Sequence, residues 1–91
     1  MVKLRFDFTK NPPQIDLNRD RISKSDIPLL QTVFYQMSFG KKFLKKFILE
    51  ISGKDVNIIP ETEEKVVDLK IPQKVFKNLS KDAGLAFRDF S

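Results

Sequence analysis

Cysteine, histidine and tryptophan are all absent from this chain of 91 residues. Without cysteine there is no disulfide framework and no thiolate nucleophile, and without histidine as well there is no zinc finger and no imidazole general base. Most familiar catalytic constellations are thereby excluded. Twelve carboxylates, one Tyr, the lysines and the Ser and Thr hydroxyls remain, and no motif marks a reactive pair among them. Glycine is scarce too: Gly40, Gly53 and Gly84 stand far apart, which leaves no Gly-rich phosphate loop. Long apolar runs are missing; Phe47, Ile48 and Leu49 are as long a run as any, against the roughly 20 apolar residues of a spanning helix. Lys3, Arg5 and Asp7 interrupt any apolar core of a leader near the start, so the expected location is the cytoplasm. No enzyme activity, cofactor, metal or membrane partner is expected.

What is present is charge and phenylalanine. Seventeen Lys and Arg stand against twelve Asp and Glu, a net charge of +5, and there are nine Phe. A chain this short has apolar surface for one core, so one compact α+β domain over residues 1–91 is expected. Val2, Leu4, Phe6 and Phe8 alternate with Lys3, Arg5 and Asp7, the period of a strand with one buried face. Pro12 and Pro13 end that ladder because they supply no amide donors, and residues 14–17 suit a second short extended piece. Residues 18–25 read as a polar loop. Its Ser23, Lys24 and Ser25 are better explained as the polar approach to a helix that Ser25 or Asp26 caps than as a Ser–Lys catalytic pair.

Ile27, Leu30, Val33, Phe34 and Met37 recur at helical spacing, with Pro28 in the first turn and Gly40 as the stop, so residues 26–38 read as an amphipathic helix. Residues 41–52 fit two patterns. As a helix they gather Phe43, Leu44, Phe47, Ile48 and Ile51 on one side and Lys41, Lys42, Lys45 and Lys46 on the other, with Leu49 misplaced. As a strand from Phe47 onward they put Phe47, Leu49 and Ile51 on one face and make residues 53–55 a turn. The helix is the reading carried forward. Residues 56–59 and 66–71 then form a β-hairpin about an acidic loop, and after Pro72 a C-terminal amphipathic helix buries Val75, Phe76, Leu79, Ala83, Ala86, Phe87 and Phe90. The expected order is an N-terminal strand, two helices, a β-hairpin and that helix. It is also the order of winged helix-turn-helix modules, although the acidic wing and the lack of Arg, Asn or Gln on the second helix argue against base-specific reading.

Charge is distributed unevenly. Residues 41–50 carry four Lys against one Glu, and residues 61–70 carry four carboxylates against two Lys, so a basic and an acidic pole are expected. Glu61, Glu63, Glu64 and Asp68 lack the ligand spacing of a calcium loop and read as a solvated turn. Lys74, Lys77, Lys81 and Arg88 fall within roughly 60° on a helical wheel, opposite the phenylalanines. These patterns favour a small nucleic-acid-binding protein that contacts phosphates through Lys41, Lys42, Lys45 and Lys46, with Lys74, Lys77 and Lys81 as a second patch. The alternative is a protein–protein interaction module whose partner is an acidic protein surface. Examples would be an adaptor, or a phage or mobile-element inhibitor that covers the nucleic-acid-binding surface of a larger protein.

Overall fold

The computed structural model describes residues 1–18, 23–39 and 43–82, and of residues 38 and 80–82 the backbone alone. The elements are β1 (Val2–Asp7), β2 (Gln14–Leu17), α1 (Ile27–Phe39), β3 (Lys46–Ser52), β4 (Asp55–Pro60) and α2 (Lys70–Asp82). All strands lie in one antiparallel sheet of order β2-β1-β3-β4. The described residues thus form a small compact α+β unit, with α1 and α2 packed against one face of the sheet.

Alternation in β1 does what its period dictates. Val2, Leu4 and Phe6 point inward and are buried, while Lys3 and Arg5 point out to solvent. Helix α1 buries Ile27, Leu30, Val33, Phe34 and Met37, the five positions its spacing selects. Its entry is held by Ser23, whose Oγ donates to Asp26 Oδ2 at 2.7 Å and whose carbonyl accepts from the Asp26 amide at 3.1 Å. That serine shapes the turn that leads into the helix.

The second helix expected over residues 41–52 is not formed. Residues 46–52 are instead the strand β3, so the winged-helix order is not the order of this chain. The register supplies the reason. Phe47, Leu49 and Ile51 face Phe6, Leu4 and Val2 across β1, three apolar pairs on one face. A helix would strand Leu49 among lysines, whereas in the strand Leu49 is fully buried. Ile48, expected on the apolar side, turns to the outer face opposite Arg5. The hairpin shifts accordingly: β3 and β4 are joined by the two-residue turn Gly53 and Lys54, with Gly53 in the left-handed region at φ +59°.

Residues 66–71 were expected as the partner strand of that hairpin and are not a strand. Val67 is 97% exposed, and the chain turns there into α2, whose first amide, that of Lys70, donates to Asp68 Oδ1 at 3.0 Å. On α2, Val75 and Phe76 are buried, Leu79 is half-buried, and Pro72 is buried in the first turn, where a missing amide costs nothing. Expectations for Gly40, Ala83, Gly84, Ala86, Phe87, Arg88 and Phe90 fall outside the described residues.

Six phenylalanines knit the layers together. Phe6 stacks on Phe47 at 5.0 Å and meets Phe34 edge-on at 5.5 Å; Phe34 in turn contacts Phe43 at 5.3 Å and Phe76 at 4.7 Å. Phe8 closes the cluster against Phe6, Phe43 and Phe47. Each such pair contributes about 0.5–1.5 kcal/mol beyond burial of its area. Phe34 is therefore the joint between α1, α2 and the sheet.

Candidate functional site

The two charged clusters foreseen as separate poles lie side by side. Residues 61–66 run antiparallel to residues 43–46: the Glu61 amide donates to the Lys46 carbonyl at 3.0 Å, the Lys45 amide to the Glu64 carbonyl at 2.8 Å, and the Val66 amide to the Phe43 carbonyl at 2.7 Å. The isolated bridge between Leu44 and Lys65 continues the same pairing. Lys45 Nζ consequently meets Glu64 Oε2 at 3.0 Å. Lys46 stands opposite Asp7 across the β1–β3 ladder and, after Arg5, adds its charge to the lowering of the Glu61 carboxyl. Lys41 and Lys42 lie outside the described residues. Of the first lysine cluster, then, neither described member belongs to a basic helical face, and Lys45 is paired with a carboxylate from the acidic loop.

On the outer face of the sheet Arg5 and Lys3 are paired in the same way. Arg5 donates from Nε and Nη2 to both oxygens of Glu61, at 2.8 and 2.7 Å, and Lys3 Nζ lies 3.5 Å from Glu50 Oε2. The Arg5 hydrogen bonds, more than its charge, hold the Glu61 carboxyl below the usual carboxylate range, and Glu61 raises the guanidinium pKa in return. Asp7 is lowered chiefly by the Thr9 hydroxyl, which donates to Oδ1. With Asp16, Glu50 and Asp55 at the same outward parity, this face carries three cations, Lys3, Arg5 and Lys46, against five carboxylates. The chain's net positive charge resides elsewhere.

Part of it is on α2. Lys74 and Lys77 are exposed there, as the wheel predicts, and Lys81 shares their face; only its backbone is described. Lys70 joins them. It was missed because residues 66–71 read as a strand, whereas the helix begins at Lys70 and spaces the lysines at 70, 74, 77 and 81 along one stripe about 16 Å long. Lys74 also shares a groove with Lys10 of the β1–β2 connection. That groove, about 810 Å³, is floored by apolar side chains including Phe8, Ile15 and Leu79.

A second groove, about 520 Å³, lies between α1 and β4, lined by Val33, Met37, Val56, Ile58 and Lys65 among others. Tyr35 and Phe39 are the exposed rings among the described residues, stacked on each other at 6.4 Å on another part of α1. Phe43 and Phe47 are wholly buried, so they offer no apolar face to a lipid surface. Among the described residues no group of three or more acidic side chains could hold a metal ion, and no helix is long and apolar enough to cross a membrane. Comparison of the chain with family models, with curated proteins and with solved structures finds no match in any of the three.

Proposed function

We propose that this chain is a small non-catalytic nucleic-acid-binding protein that holds the phosphate backbone against the outer lysine stripe of α2. The carrying observation is that Lys70, Lys74 and Lys77 stand exposed along one face of α2. Ammonium groups in a row neutralise successive phosphates and release condensed counterions, which gives affinity without base contacts. Lys10, across the groove from Lys74, widens the same basic surface. The contribution of Lys45 and Lys46 to such a surface is reduced by Glu64, Asp7 and Glu61. The absence of histidine and cysteine supports a binding rather than a catalytic role.

The test is fluorescence anisotropy with mixed-sequence single-stranded and duplex DNA and RNA across a series of salt concentrations. Four phosphate contacts correspond to a log–log slope of about −3.5 on duplex DNA and about −3 on single strands. Replacing Lys74 and Lys77 together by Gln reduces that slope by about 2. Binding that keeps its slope in the double variant, or no binding at low salt, overturns the proposal. The protein-interaction reading is favoured by a different observation, the open groove beside β4.

A further inference from the structure

Strand β4 is an edge of the sheet, and the hydrogen-bonding parity of its backbone follows from the turn that precedes it. Across a two-residue hairpin turn the flanking pair, Ser52 and Asp55, exchanges both backbone bonds, and alternate pairs do so thereafter. The bond from the Glu61 amide to the Lys46 carbonyl, at 3.0 Å, keeps that phase at the far end. Asp55, Asn57 and Ile59 therefore spend their backbone groups on β3. The N–H and C=O of Val56 and of Ile58, and the C=O of Pro60, point away from the sheet. The side chains of these same three residues lie on the inner face, opposite Ile51, Leu49 and Phe47, where they form one wall of the groove against α1.

The other edge is the better defended of the two. Strand β2 is four residues long, follows two prolines and carries Asp16. In β4 the run Val56, Asn57, Ile58, Ile59 has no charge, and Ile58 and Ile59 remain 42% and 41% exposed. An unblunted apolar edge beside an apolar groove is the arrangement that accepts an added strand, with the backbone supplying affinity and the groove reading alternate side chains.

We infer that β4 and the α1–β4 groove form a docking site for an extended acidic–apolar segment of a partner protein, added antiparallel to β4. Charge decides the occupant. Lys65 is the charged side chain in the groove, it lies beyond the Pro60 end of β4, and among the described residues no carboxylate pairs with it. A second copy, paired edge to edge with its inner face on the same side, brings Val56, Ile58 and another Lys65 to that face and no carboxylate; Asp55 has the opposite parity. An antiparallel segment passes Pro60 before Ile58 and Val56. Its recognition pattern is then a carboxylate followed, at alternate positions, by two apolar side chains. This site shares no residue with the lysine stripe of α2.

The test is selection of a displayed library of random linear peptides on the purified full chain, followed by anisotropy titration and amide hydrogen exchange with the enriched peptide. The expected result is enrichment of that acidic–apolar pattern, with exchange slowed at Val56 and Ile58 on binding. Lys65→Glu, a change at an exposed side chain, weakens the enriched peptide about tenfold and shifts preference to a Lys-bearing version. Ile58→Lys weakens both versions; should that variant fail to fold, the Lys65→Glu result decides alone. Replacing Lys74 and Lys77 by Gln leaves peptide binding unchanged. No enrichment, equal binding by the Lys65→Glu variant, or a concentration-dependent dimer whose Val56 and Ile58 amides are already protected overturns the inference.

Discussion

Replacing Phe76 by alanine tests how the helical layer is fastened to the sheet. The Phe76 ring is fully buried and stacks on Phe34 with centroids 4.7 Å apart and planes 27° from parallel. Truncation removes the transfer free energy of the ring and leaves a cavity under α2, a loss of about 3–5 kcal/mol. The contact with Phe34 accounts for about 0.5–1.5 kcal/mol of it. A chain of this length has roughly 5–14 kcal/mol of total stability, so the variant retains a folded state with little margin. With a urea dependence of about 2 kcal/mol per molar, the unfolding midpoint falls by about 2 M. Far-UV circular dichroism is the suitable signal, because the chain has no Trp. Ile71→Ala serves as the control: it lies on the same helix but is 42% exposed, and its expected cost is under about 1 kcal/mol. A Phe76→Ala midpoint within about 0.5 M of wild type, at unchanged slope, would refute the view that this ring secures α2.

Acid stability should depend on Glu61. Its folded pKa is lowered by the Arg5 hydrogen bonds, so its contribution is complete above the unfolded value and is lost as pH falls through the folded one. Urea midpoints of wild type and Glu61→Gln are therefore expected to differ most near about pH 7 and to converge in strong acid, below the lowered pKa; a gap that persists in acid contradicts the ion-pair account. Gly53→Ala meets no atom within 4 Å, so its cost is conformational, about 1–2 kcal/mol for φ +59°. Thermal denaturation should show Gly53→Asn recovering most of that loss.

The candidate site was legible only in part. The exposure of Lys74 and Lys77 on a helix is legible because α2 has an unambiguous 3.6 period, but Lys70 is hidden by the β-branched residues just before the helix. The four lysines of residues 41–46 looked like one patch because charge runs are read along the chain. Lys45 and Lys46 meet carboxylates about 15–20 positions later, Glu64 and Glu61, a pairing that no local window contains. The β4 edge was equally invisible, since an edge is defined by which strands pair and not by any one strand's composition.

By itself the sequence determined β1 and α1. An alternating apolar face and a five-residue apolar helical stripe each specify local structure without a partner. Tertiary structure decided the state of residues 46–52, where periods of 2 and 3.6 both bury most apolar side chains. Leu49 broke the tie, because only pairing with β1 brings it into the core opposite Leu4. With that strand in place the acidic loop had to return beside Lys45 and Lys46, Lys3 and Arg5 on the sheet's outer face met carboxylates, and exposed lysines and the open edge were left on α2 and β4.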